Sequence, residues 1–569
     1  IGQLAQALRV SPVTAQLLLN RGVRDAAEAR RFLDAPLAGL HPPALLPGVP
    51  DAADRLVRAA RDGRRVCVYG DYDVDGTTGT AILLRLLRDL GADATYYLPN
   101  RLEEGYGLNR DALRQLKEAG VSLVVTVDCG IASVAEAEEA RRLGLELIVT
   151  DHHEPKDRLP PADVLVHPRL AGGDYPFGGI SGAAVAFKLA WAVAQQVSGG
   201  ERVRPELREA LMDALALATL GVVADVVPLA DENRILVRHG LRRMRERPLL
   251  GVRLLMESAR LNGAGPRAED VSFRLAPRLN AAGRLGCARM VVELLTTRDP
   301  AEAEQFVAYL EQQNRTRQAL ERRITEQVRE LVEAQDLAEQ PALVLAGTDW
   351  HPGVIGIVAG RLVDLYARPV LLIAARESEP VAPGSGRSVP GFPLHAALAA
   401  CEEDLLGHGG HAAAAGFKID PRKVESFRRR FCDYAARHFP AGAPGPPRLM
   451  LDAEVPLSAV TFGLLRDLDR LEPYGAGNPR PRFLAGGLQV VGEPRRVGLD
   501  EKHLIFKVRQ GETALRAVAF GMGERAEELM SAGGHCCLAF TPRLNEWNGS
   551  RTVELEVADF QPGPDARLE

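Results

Sequence analysis

Between residues 66 and 167, short apolar runs alternate with longer amphipathic stretches: VCVY, TTGTAILLRLLRDL, ATYYLP, NRDALRQLKEAG, LVVTVDCG, SVAEAEEARRLG, LELIVTDHH and DVLVHP. The short runs read as buried strands, and the longer ones repeat apolar positions at helical spacing. Such alternation predicts a doubly wound α/β sheet. Helical patterning continues in PELREALMDALALATLGVVADVVPL and VRHGLRRMRERPLLGVRLLMESA. Residues 301–336 are densely charged and lack Gly and Pro, which predicts one long connecting helix. A second α/β unit is expected from PALVLAG through RPVLLIAA to about Phe439, followed by a linker, PAGAPGPP, at 440–447. The runs GLQVVG, HLIFKVRQ, ALRAVAF, CCLAFTPRL and TVELEVADF then predict a small β-barrel. The expected division is 1–300 for a first domain with flanking helical segments, 301–337 for the connecting helix, 338–440 for the second α/β domain and 448–562 for the barrel.

A chain of 569 residues is long enough for several cores, in line with that division. Its longest apolar stretch, 214–224, is too short to span a bilayer, so no membrane association is expected. The residues after Ile1 lack the pattern of a signal peptide, and the start reads as trimmed. Seven cysteines without a CxxC pair suit a reduced, cytoplasmic protein. With a formal net charge of -5, any nucleic-acid footprint has to be local.

The chemistry lies at the strand ends. GDYDVDG sets Asp71, Asp73 and Asp75 behind VCVY; Asp128 follows LVVTV; Asp151, His152 and His153 follow LELIVT. Open α/β sheets bind ligands beyond the carboxyl ends of their strands. DYDVDG also opens like a calcium loop, but the twelfth position is Ile82 instead of Glu, and a strand precedes it. Helix capping accounts for one carboxylate, and the others repel unless cations neutralise them. Alternate residues of an extended segment share a side, so the three acids are expected to converge as the chain turns at Gly76. Carboxylates with imidazole suit Mn²⁺ or Mg²⁺, and this many carboxylates suit two ions.

GDYDVDG, VTVDCG, DHH and GVVADVVPL, in that order, resemble the DHH phosphoesterase superfamily, and the chain is similar over nearly its whole length to the RecJ exonuclease family within it. DWHPGVIGIVAGRL, GSGRS and GHGGHAAAAGF look like that family's DHH-associated domain, and EPYGAGNPRPRF with the β-rich tail looks like its oligonucleotide-binding barrel. The resemblance implies removal of mononucleotides from the 5′ end of single-stranded DNA, in recombination and repair, by hydrolysis with two Mn²⁺ or Mg²⁺ ions. It also implies that Asp75, Asp128, His152 and Asp225 ligate one ion and Asp73 with Asp128 the other, with Asp71 and His153 in or beside the cluster. A phosphoesterase of small nucleotides or oligoribonucleotides is the alternative. It would not need the barrel or the long connector.

Candidate DNA contacts lie elsewhere. Arg101 and Tyr106 in NRLEEGYG suit a phosphate clamp and a base stack, and Arg278, Asn280 and Arg284 in APRLNAAGRLG form a basic segment. Ser385, Arg387 and Ser388 lie among glycines that would let backbone N–H groups approach a terminal phosphate. Gly409, Gly410 and His408 or His411 are expected to face that pocket, and His351 suits either phosphate contact or a helix start. Among barrel aromatics Phe506, Phe520 and Phe540 read as core, while Trp547 in NEWNGS suits base stacking. Single-stranded DNA is the expected partner, with a helicase and a single-strand-binding protein as candidates, and the chain is expected to be a monomer.

Overall fold

The computed structural model describes residues 1–101, 104–261, 263, 265–334, 340–376, 379–439, 449–547 and 549–563, apart from the Trp547 side chain. The expected linker at 440–447 and the stacking role of Trp547 therefore lie outside the described residues. Two compact units form, one of residues 1–97, 107–274 and 449–569, the other of residues 98–106 and 275–448.

The first unit opens with helices α1 (Gly2–Leu8), α2 (Pro12–Asn20), α3 (Ala26–Asp34) and α4 (Val49–Arg61). Strands β1 (Val66–Gly70), β2 (Ala94–Tyr97), β3 (Leu123–Val127), β4 (Glu146–Thr150) and β5 (Val164–Val166) make a parallel sheet in the order β2-β1-β3-β4-β5. The crossovers are helices α5 (Val74–Asp89), α6 (Arg110–Glu118) and α7 (Val134–Arg142). Every residue of β1 and β3 is buried, because alternate side chains face helices on opposite sides. Cys67, Tyr69 and Val124 pack with Leu113 and Leu116 of α6 and Ala137 and Ala140 of α7. On the other face Gly79 lets α5 lie so close that an added Cβ would fall 2.6 Å from Val127. β1 and β3 are neighbours whose crossovers leave in opposite directions, so a crevice opens beyond their carboxyl ends.

Helices α8 (Gly182–Ser198), α9 (Pro205–Ala224) and α10 (Asp231–Glu246) follow the sheet. Lys188 of α8 and Glu232 of α10 form a fully buried ion pair, with the Tyr175 hydroxyl donating to the same carboxylate and Lys188 also donating to the His41 carbonyl. These bonds satisfy charges that would otherwise be costly to bury.

The barrel strands are β11 (Ala453–Glu454), β12 (Phe483–Val490), β13 (Arg495–Val497), β14 (His503–Gln510), β15 (Thr513–Ala519), β16 (His535–Trp547) and β17 (Ser550–Pro562); in the second unit β6 (Leu343–Gly347), β7 (Val370–Ala374), β8 (Ala382–Arg387), β9 (Leu405–Gly410) and β10 (Ala414–Ile419) form a mixed sheet in the order β6-β7-β8-β10-β9. The barrel order is β11-β12-β16-β17-β15-β14-β13, and a β12–β14 pairing closes a ring. Phe483, Phe506 and Phe540 share one core with Leu4, Leu17, Leu18 and Leu33, so helices α1–α3 pack into the barrel's core. The long helix expected at 301–336 runs from Pro300 to Ala334.

Candidate metal centre

The three acids behind β1 converge by a route other than the expected extended one. Asp73 takes a non-helical conformation and caps α5, its Oδ1 accepting from the Gly76 N–H at 3.0 Å. The helix therefore begins at Val74, and Asp75 sits in its first turn. Backbone N–H groups of α8 then grip Asp75: Gly182 donates to Oδ2 at 2.6 Å and Ala183 to Oδ1 at 3.0 Å. Gly221 of α9 leaves room for this, since a Cβ there would fall 2.4 Å from Asp75 Oδ1.

Asp128 adopts a left-handed backbone (φ 64°), which Asp tolerates better than most residues. Two threonines fix that turn. Thr126 Oγ1 donates to the Cys129 carbonyl at 2.7 Å and accepts from the Thr150 N–H at 3.0 Å, while Thr150 Oγ1 donates to the Thr126 carbonyl at 2.6 Å. A Cβ on Gly182 would fall 2.6 Å from Asp128 Oδ1, so the close approach of α8 requires glycine.

In DHH the aspartate organises the turn. Asp151 Oδ1 accepts from the backbone N–H of His152 (2.7 Å) and His153 (3.1 Å) and lies 2.7 Å from His153 Nδ1, and Oδ2 accepts from the Ile131 N–H at 2.9 Å. Sequence reading did not single out the neighbours that complete this turn. Arg169 donates to the His152 carbonyl at 2.6 Å, and its N–H occupies His167 Nδ1, so His167 Nε2 carries the proton given to the His153 carbonyl at 2.7 Å.

Ligand-type atoms gather in three overlapping sets: Asp71, Asp73 and Asp128; Asp75, His152 and Asp225; and Asp128, His152 and His153. His152 Nε2 lies 3.1 Å from Asp128 Oδ1, 3.5 Å from Asp225 Oδ2 and 3.8 Å from Asp75 Oδ2, is buried, and makes no hydrogen bond. An orphaned imidazole nitrogen facing three carboxylates fits a cation between them. The electrostatics agree. Burial, then the Asp73 charge, push Asp75 up to about 7; burial, then Asp75 and Asp73, push Asp225 up to about 8. Burial and the surrounding acids hold Asp128 well above the carboxylate range. Burial and the neighbouring His153 lower His152 to about 4, leaving a neutral ring with a lone pair. For His153 burial opposes the charge, but the Asp151 hydrogen bond and the charges of Asp151, Asp225 and Asp73 outweigh it and raise the ring to about 9.

Residues 65–219 match the DHH family, N-terminal domain, residues 339–437 the DHHA1 domain and residues 451–559 the RecJ OB domain. The single-stranded-DNA-specific exonuclease RecJ of Bacillus subtilis is 37% identical over 559 residues, covering 98% of this chain and 69% of the relative. The chain belongs to the RecJ family. RecJ of Escherichia coli is 34% identical, covering 97% of this chain and 96% of its own. A crystal structure of RecJ from Thermus thermophilus in complex with Mn²⁺ superposes with a TM-score of 0.83 at 37% identity, over 98% of this chain and 77% of that one.

The second unit holds the other RecJ-type candidates. The expected approach of GSGRS backbone N–H groups to an anion does not form at these positions: Ser385 and Arg387 lie on β8, whose backbone pairs with β7 and β10. Its glycines make room for side chains, since a Cβ on Gly384 would fall 2.2 Å from the Phe417 ring. What remains accessible for an anion is therefore side chain. Arg387 donates to Ser385 Oγ at 3.3 Å and to the Gly386 carbonyl at 2.8 Å. Burial, then the charge of Arg101, lower its pKa, so the unit brings Arg101 towards Arg387. Ser388 Oγ instead donates to the Phe392 carbonyl at 2.9 Å. Gly409 and Gly410 end β9, an edge strand of a hairpin closed by the His411 N–H on the Ala414 carbonyl at 2.8 Å, and all three are exposed. His408 is exposed on β9 as well.

The basic segment APRLNAAGRLG is helical (Ala276–Leu285); Arg278 pairs with Glu311 at 2.6 Å and Arg284 donates to the Gly353 carbonyl at 3.2 Å, while Asn280 is half-buried. His351 caps the helix Pro352–Tyr366 through Nδ1. Tyr106 is exposed. In the barrel Phe506 and Phe540 are core, but Phe520 is exposed, with the Arg543 guanidinium 5.3 Å from its ring centre. Phe520 therefore departs from the expected core role, its ring also meeting His503 edge-on at 5.3 Å.

Proposed function

We propose that this chain is a metal-dependent single-stranded-DNA-specific exonuclease that hydrolyses phosphodiester bonds from the 5′ end and releases mononucleotides. One observation carries the reading: two carboxylate sets, one completed by a neutral imidazole, adjoin at Asp128 in the switch-point crevice of a RecJ-family chain. Asp75, Asp128, His152 and Asp225 suit one Mn²⁺ or Mg²⁺ ion, and Asp71, Asp73 and Asp128 suit a second. When bound, the pair supplies Lewis acidity towards the scissile phosphate and the attacking water. His153, held and kept protonated through Nδ1 by Asp151, carries its second ring proton on Nε2, which can meet a phosphate oxygen or the departing 3′ oxygen.

In the second unit Arg387, Ser385 and Arg101, with Ser388 and the exposed Gly409, Gly410 and His411, are our candidates for holding a 5′ phosphate, because a guanidinium matches a dianion bidentately. Tyr106 and Phe520 are candidates for base stacking, and Arg278, Asn280 and Arg284 for the strand's backbone. We place the protein in the cytoplasm as a monomer, in DNA recombination and repair, with a helicase and a single-strand-binding protein as partners. Among the described residues no helix is long and apolar enough to cross a membrane, and no two cysteines form a disulfide. The test is to incubate the protein with end-labelled single- and double-stranded DNA under Mn²⁺, Mg²⁺ or chelator. Shortening of single strands from the 5′ end, abolished by chelator, is the expected result; intact single strands, or shortening that persists under chelator, would refute it.

A further inference from the structure

Asp225 caps the carboxyl end of α9, and the residue after it is strained. Val226 holds a left-handed backbone (φ 61°), rare for a β-branched residue, and is 69% exposed. Strain of that kind persists only where the surroundings fix it, and here the residues that follow are held by the barrel domain and by the start of α10. The Leu229 N–H donates to the Ala476 carbonyl at 2.6 Å, and Leu229 is buried. Gly475 and Gly477 permit the contact: a Cβ on Gly475 would fall 2.7 Å from Leu229 Cδ1, and one on Gly477 3.1 Å from Pro228 Cβ.

The segment on the barrel side is rigid. Gly475 and Asn478 exchange two backbone hydrogen bonds, and the buried Asn478 amide donates to the Leu471 and Pro473 carbonyls at 2.8 Å each. The start of α10 holds both partners. Asn233 donates to the Pro228 carbonyl at 2.9 Å and to the Gly179 carbonyl at 2.7 Å, and Gly179 lies on the segment entering α8, whose first N–H groups grip Asp75. Arg234, 2% exposed, donates to the Leu471 and Glu472 carbonyls at 2.9 Å each.

We propose that the Tyr474–Asn478 loop is a positioning element of the metal centre, holding Val226–Leu229 so that Asp225 reaches the ion it shares with Asp75 and His152. The barrel domain is then part of the catalytic centre as well as a candidate DNA surface. This rests on the metal role given to Asp225 above.

The experiment titrates Mn²⁺ calorimetrically into the full chain and into Gly475→Ala, Gly477→Ala, Gly475→Ala/Leu229→Ala and Asp225→Ala, with a melting curve for each. In Gly475→Ala one of the two ions should bind about tenfold more weakly or worse, the range seen when a ligand's supporting partner is lost. The other ion and the cooperative melt should be retained. Shortening Leu229 removes the atom the new methyl meets and should restore the weakened ion. Gly477→Ala, strained by its φ of +70°, should weaken the same ion. Wild-type binding of both ions in both glycine variants overturns the proposal, and so does equal loss of both, which would mark the loop as support for the fold alone. If Asp225→Ala keeps both ions, the metal reading falls and this inference with it. If Asp225→Ala loses one ion while the loop variants lose none, only the inference falls.

Discussion

Asp128 is the residue on which the centre turns, because its carboxylate belongs both to the set with Asp71 and Asp73 and to the set with His152 and His153. Asp128→Ala is expected to abolish binding of both Mn²⁺ ions by calorimetry and nearly all nuclease activity, while affinity for long single strands survives; retention of two ions would disprove the bridging role. The same crowding makes a pH prediction. The folded, metal-free protein holds Asp75 at about 7 and Asp225 at about 8, both above the ordinary value of about 4 in an unfolded chain. A group raised on folding contributes stability that is fully present below its unfolded pKa and is lost as pH rises through its folded pKa. The metal-free protein should therefore lose melting temperature between about pH 4 and about pH 8, and saturating Mn²⁺ should remove the loss. Calorimetry in buffers of different ionisation enthalpy should register protons released on metal binding near neutral pH. A metal-free melting temperature that is flat over this range would contradict the raised carboxylates.

At the scale of elements, the strands that carry the site were the most legible part of the chain. β1, β3 and β4 are near-continuous apolar runs because parallel strands are buried on both faces, and each ends in the acids or histidines of the centre. The helix ends opposite them were not legible. Gly182 and Ala183 hold Asp75 through backbone N–H groups, which every residue but proline owns, so no side chain announces them. GSGRS misled for a related reason: glycine marks either a backbone open to a ligand or a place where a side chain packs closely, and only the tertiary neighbour, Phe417, decides. That correction sharpens the prediction for β8. With its backbone committed to the sheet, selectivity for a 5′ phosphate has to come from the Arg387 and Ser385 side chains. Wild type should prefer 5′-phosphorylated over 5′-hydroxyl strands by about 10- to 100-fold in kcat/KM, the worth of a charged hydrogen bond of about 1.5–3 kcal/mol. Arg387→Ala should erase that preference with metal binding intact. A preference that persists in the variant would move the pocket to Arg101 or Arg284.

For the whole molecule, the two ends of the described chain meet in one core. The apolar spacing of α1–α3 tells that each helix has a face to bury, but not that the face belongs against strands more than four hundred residues later. Leu4, Leu8, Leu17, Leu18 and Leu33 pack in the core of Phe483, Phe506 and Phe540. Polar bonds register the contact: the Ser11 N–H and the Thr14 hydroxyl both donate to Asp467 Oδ2, at 2.7 and 3.1 Å, and Arg21 donates to Asn478 Oδ1 at 2.6 Å. A buried leucine contributes about 1.5–3 kcal/mol, so deleting residues 1–34 should cost the barrel on the order of 5 kcal/mol or more, as much as many domains possess in total. Hydrogen exchange mapped by peptide reads this directly. Amides of β12, β14 and β16 should exchange much faster in the truncated chain, while those of β1, β3 and β4, in a separate hydrophobic cluster with α6 and α7, should keep most of their protection. Affinity for long single strands should fall with the barrel's order. If the barrel amides stay protected without the three helices, the shared core is dispensable and the barrel stands without them.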